Sequence, residues 1–147
     1  MSGTSLRTLI VVVFLIHGVG QFMGIIPALR LFGTERPEWF RNWTSDSWLL
    51  TDLVGSAATR IVCLLLFGAA FIGFVTAGLG LAGGLVPYGW WRPLAVASAA
   101  IALVALILFW DALIYFFPHK VGDIAVNLAV LVCLLGLSWP SDAVLGV

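Results

Sequence analysis

The chain alternates long apolar runs with short polar breaks, and the runs have the length that a bilayer asks of a helix. Residues 8–29, 61–82, 93–117 and 121–139 each come close to or exceed the ~20 residues needed to cross ~30 Å of hydrocarbon. Gly83-Gly84 breaks the second run from the third, and Pro118-His119 breaks the third from the fourth. Connections that short join antiparallel neighbours. The pattern therefore predicts an all-α fold, a four-transmembrane-helix antiparallel up-down bundle forming one integral membrane domain over residues 1–147. Arg7 precedes the first run as it would in a secretory leader. No small-x-small cleavage site follows promptly, however, and His17 and Gln21 lie inside the run, so it is expected to remain as a helix.

The one long polar connection, residues 35–59, interleaves Trp39, Phe40, Trp43, Trp48, Leu49 and Leu50 with Glu38, Arg41, Asp46 and Asp52. Trp39, Phe40 and Trp43 share one side of a short helix that Pro37 can open, which predicts an amphipathic segment lying in the headgroup region. The competing expectation is a cap folded over the mouth of the bundle.

Polar positions inside the runs are few, and their spacing carries most of the functional signal. His17 and Gln21, Asp111 and Tyr115, and Asp123 and Asn127 each stand at i, i+4, so each helix would show one polar stripe. Alternating helix direction sends these six, together with Arg60, to the same half of the membrane. His17 would lie ~18 Å and Gln21 ~12 Å below that surface. Charged groups at such depths cost ~2.5–3.5 kcal/mol each on insertion scales, so the stripes should face inward and pair. Two expectations follow. In one, the groups are interhelical glue, with Arg60 on Asp123 or Asp111. In the other, His17, Gln21, Arg60, Asp111, Tyr115, Asp123 and Asn127 line a half-membrane polar pocket roofed by Trp39, Trp43 and Trp48. If Asp111 is a buried member of this set, Asp111→Leu should be more damaging than Asp142→Leu.

Composition agrees with a bilayer as the solvent: 62% of the 147 residues are hydrophobic and 10% charged, against ~25% charged in soluble domains. Seven basic and seven acidic residues cancel, so no bulk field recruits nucleic acid. Cys63 and Cys133 fall at different depths and form no CxxC pair, which removes thiol-disulfide chemistry. No zinc, di-iron or Ser-His-Asp framework is spaced along the chain, so no metal site and no catalytic residue is assigned. Lys and Arg are more numerous on the side of the first and third connections, which places both termini outside the cytoplasm.

Phe14-Leu15-Ile16-His17-Gly18-Val19-Gly20-Gln21-Phe22-Met23-Gly24 resembles the first helix of the DoxX-like membrane proteins. Gly122-Asp123-Ile124, leading to Trp139-Pro140, is similar to that group's last helix. The chain departs from the group's pattern in having no acidic residue within the second run and a longer aromatic connection. The resemblance implies a four-helix protein of the bacterial inner membrane, in some cases an accessory subunit of a quinone-linked oxidoreductase. That group has no single chemistry to carry over, so the one-sided polar stripes, the many small residues and the lack of a catalytic constellation set the expected function: a non-catalytic accessory subunit of a larger membrane complex, or a binder of a quinone or lipid, with no cofactor required. Its partners would be membrane lipid and other membrane subunits or further copies of itself. The alternatives are a quinone-linked oxidoreductase component that exchanges protons through His17 and Asp111, and a small transporter or proton-conducting oligomer.

Overall fold

The structure is a computed structural model that describes residues 2–31, 38, 43–84, 86–112 and 117–146, with the backbone alone at 117–119. Among these residues the architecture is all-helical: α1 (Gly3–Leu29), α2 (Leu50–Ala82), α3 (Trp91–Leu108), α4 (Phe117–Leu131) and a short α5 (Asp142–Leu145). Three helical stretches, Gly3–Leu29, Leu50–Ala82 and Tyr88–Leu108, are long and apolar enough to cross a membrane. This is consistent with an integral membrane protein.

The packing supports the same conclusion from the other direction. Ala70, Ala77, Ala95, Ala99, Ala102 and Ala105 are completely buried, while Ile16, Leu65, Ile72, Ile107 and Leu135 are each more than 60% exposed. Small residues let helix backbones approach, and the large aliphatic side chains are left for lipid. Gly18 and Gly24 serve that approach on α1. A Cβ at Gly18 would stand 3.1 Å from Phe74, and one at Gly24 would enter the Phe67 ring.

Three expectations about the helices need correction. α2 starts at Leu50 rather than Ile61, and is broken at Gly55, whose φ of 80° only a glycine adopts readily. The third run does not stay helical to Phe117: α3 stops at Leu108, and Phe109 to Ala112 turn. Trp110 and Asp111 therefore leave the helix face on which the sequence placed them. α4 then begins at Phe117, earlier than expected, with Pro118 in its first turn, where a missing N–H costs nothing. It spans 15 residues and carries Lys120, Asp123 and Asn127, so it is shorter and more polar than the other three. A wider turn, Val132–Gly136, continues it.

α3 ends where it does because the first connection supplies donors to its last carbonyls. Beyond the Thr44 N–H, which donates to Ala112 O in the following turn at 3.2 Å, Ser47 Oγ donates to Leu108 O at 2.5 Å and Trp48 Nε1 to Ile107 O at 2.8 Å. These satisfy groups that a helix end otherwise leaves orphaned. Ser47 Oγ also accepts from the N–H groups of Leu49 and Leu50 at the start of α2, and Trp43 is buried against Met23 and Ile26 of α1. Residues 43–48 thus form a strap across one end of the bundle. Trp39 lies outside the described residues. Ser47→Ala removes one carbonyl donor and one N-cap acceptor together, and is expected to cost about 1–2 kcal/mol. Thermal unfolding in detergent, with Ser45→Ala as the control, reads this directly.

The opposite end is closed by charge. Arg7 Nε donates to Leu81 O at 2.7 Å, capping α2. Asp142 accepts from Arg92 and from the Tyr88 hydroxyl, each at 3.0 Å. The Arg92 guanidinium, helped by that hydroxyl, holds the Asp142 carboxyl below the usual carboxylate range. A lowered folded-state value stabilises above the ordinary carboxylate pKa, and the gain disappears as pH falls through the lowered one. Asp142→Asn should therefore melt below the native chain at neutral pH and converge with it in acid. Asp142 is exposed, so salt should shrink the gap.

Candidate functional site

His17 and Gln21 sit one turn apart on α1, and Asp123 and Asn127 one turn apart on α4. The fold brings all four together. Asp123 is the hub: its Oδ1 accepts from Gln21 Nε2 at 2.7 Å and from Asn127 Nδ2 at 3.0 Å, and lies 3.2 Å from His17 Nε2. Asn127 Nδ2 also donates to the Asp123 carbonyl at 2.9 Å. His17 Nε2 is 3.2 Å from Asn127 Oδ1 as well. With two acceptors in front of it, Nε2 is the protonated ring nitrogen. The 3.5 Å approach of Gln21 Nε2 is then donor to donor and no bond. Phe74 of α2 meets the imidazole edge-on, centroid to centroid at 4.7 Å, and fixes its plane.

The layer is dry. Gln21 is 3% exposed and Asn127 fully buried, and the side chains of His17 and Asp123 are 11% and 21% exposed. Polar groups tolerate such surroundings when each finds a partner, and a carboxylate collecting several donors is among the stronger arrangements. One atom breaks the pattern: Gln21 Oε1 is buried and meets no donor among the described residues. Flipping the amide would not help, because it would turn oxygen toward the Asp123 carboxylate.

The layer also bridges the loosest seam of the bundle. α1 packs on α2, α2 on α3 and α3 on α4, whereas the α1 and α4 backbones scarcely meet. Long polar side chains span that gap. Gly20, on α1 beside them, faces open space, with nothing within 4 Å of where a Cβ would stand.

The remaining residues singled out in the sequence lie elsewhere. Asp111 is exposed in the turn after α3, where it borders a shallow recess of about 340 Å³ with Trp48, Ile107 and Trp110. Lys120 Nζ donates to Trp110 O and stands 4.5 Å above its ring. Arg60 lines a second recess, of about 290 Å³, with Ala28, Leu29, Arg30, Ile61 and Leu64. Neither Arg60–Asp123, Arg60–Asp111 nor His17–Asp111 is a pair in this structure. Of the three tryptophans expected as a roof, Trp43 and Trp48 lie in the strap and Trp39 is outside the described residues, as is Tyr115. With two partners on Asp142 and Asp111 exposed in a turn, Asp142→Leu is now expected to be the more damaging of the two changes. Phe74 and Ser47 gave no sign in the sequence: an apolar ring and a loop serine look like many others in this chain. Among the described residues no group of three or more His, Cys, Asp or Glu side chains is placed to hold a metal ion.

Comparison with protein-family models, with curated proteins and with solved structures finds no match to this chain.

Proposed function

We propose that the chain is a non-catalytic four-helix membrane protein that holds the polar head of a lipid-soluble molecule, a quinol or a lipid, in the seam between α1 and α4. α4 serves as the fourth crossing in this reading. With the turn that continues it, it reaches ~30 Å at 1.5 Å per residue. The observation that carries the proposal is the buried Gln21 Oε1 without a donor. Leaving an acceptor unpaired in low dielectric costs about 1–3 kcal/mol, and a hydroxyl or N–H on a bound head group would recover it. Gly20 leaves room on the side from which such a head would arrive. The resemblance to DoxX-like proteins suggests the setting, that of an accessory subunit in a larger inner-membrane complex.

Native mass spectrometry of gently extracted protein tests this. A co-purifying quinol, lipid or partner subunit is expected, and Gln21→Leu, which removes the acceptor, should lose a small-molecule ligand while remaining folded. Bare native protein, or a set of bound molecules of which Gln21→Leu loses none, would contradict it.

A second reading is favoured by one contact. The His17 imidazole against the Asp123 carboxylate is a proton-exchanging pair in an apolar bundle, and it would take the place of His17 with Asp111 in a quinone-linked component or proton conductor. Proteoliposomes should then show pH-driven flux, or the extracted complex quinone-dependent turnover, that His17→Ala abolishes.

A further inference from the structure

The described arginines divide by end. Arg7 and Arg92 are each tied to protein acceptors at the end that carries α5. Arg30 and Arg60, at the strapped end, have no hydrogen-bonded or ionic partner for their guanidinium groups among the described residues, yet both border the same recess. Backbone structure places them there. Arg30 closes α1 in the left-handed conformation, at φ 55°, with its N–H returned to the last turn. Arg60 enters α2 just after the break at Gly55.

Two arginines lining one depression give it a positive potential that favours an anion, and planar N–H forks are best matched by carboxylate or phosphate oxygens. The rest of the recess is apolar, made by Ala28, Leu29, Ile61 and Leu64. Leu29 and Ile61 are largely exposed, as side chains that meet acyl chains would be. A ligand that fits must have an anionic head joined to a hydrocarbon tail, and must reach the site from the headgroup level, where helix-end arginines place their charge. We infer that Arg30 and Arg60 bind the phosphate of an anionic phospholipid whose acyl chain runs along Leu29, Ile61 and Leu64. The site is separate from the α1–α4 layer, so it stands or falls independently of the function proposed above.

The test is retention of phosphatidylglycerol against phosphatidylcholine, read by native mass spectrometry after release from nanodiscs containing both. The native chain should keep phosphatidylglycerol preferentially, a result that needs no variant to fold. R30Q and R60Q should each weaken that preference about fivefold, whereas R92Q, at the other end, should leave it unchanged. Equal retention of the two lipids, or a preference untouched by R30Q and R60Q, would overturn the site. If inorganic phosphate alone raised the melting temperature as much as phosphatidylglycerol, the lipid assignment would be overturned in favour of the free anion.

Discussion

Asp123→Leu is expected to lower the unfolding free energy by about 2–3 kcal/mol, whereas Asp111→Leu should stay within about 0.5 kcal/mol of the native chain. Interhelical hydrogen bonds in lipid average only ~0.6 kcal/mol, because the unpacked helices find other partners in the membrane. The larger figure reflects the hub position. One carboxylate oxygen serves Gln21, Asn127 and His17, so removing it strands the buried Gln21 amide and leaves His17 Nε2 and Asn127 Nδ2 with one partner each instead of two. Asp111 sits exposed in a turn, and its loss strands nothing comparable. Denaturant titration of both variants in the same mixed micelle measures the difference. Similar losses for the two carboxylates would mean that the layer is not where the polar cost of this bundle is met.

The second large effect is steric. Gly24→Ala places a methyl group in the Phe67 ring, which is itself 1% exposed in the core between α1, α2 and α3. The ring cannot swing away without disturbing Cys63 and Phe109, so overpacking should cost about 1–3 kcal/mol. Gly20→Ala, one turn earlier on the same helix, meets open space and should gain about 0.5–1 kcal/mol from helix propensity. Opposite signs for neighbouring glycines would show which face of α1 meets α2. If Gly20→Ala were instead the damaging change, the helix would be rotated from the position described.

Much of the bundle was legible from residue order, because run length and i, i+4 spacing are local properties. His17 with Gln21 and Asp123 with Asn127 were recognisable as stripes, and alternating helix direction sufficed to bring them to one level. The failures came where a distant segment decides a local outcome. Nothing between Leu108 and Pro118 is a helix breaker, so the run reads as continuous to Phe117. It stops early because Ser47 and Trp48, some sixty residues away, take up its terminal carbonyls. That one event moves Asp111 out of the layer. Arg60 lies off the layer as well: α2 begins at Leu50 and is kinked at Gly55, and a single glycine among small residues gives little notice of a break.

The claim on which the rest depends is that side chains of α1 and α4 share one hydrogen-bonded network across their seam. A double-mutant cycle of His17→Leu and Asp123→Leu in lipid nanodiscs tests it most directly. A coupling of about 1–1.5 kcal/mol is expected, near the upper range for such contacts in membranes. Losses that add to within about 0.3 kcal/mol would place the two residues in separate environments and contradict the polar layer.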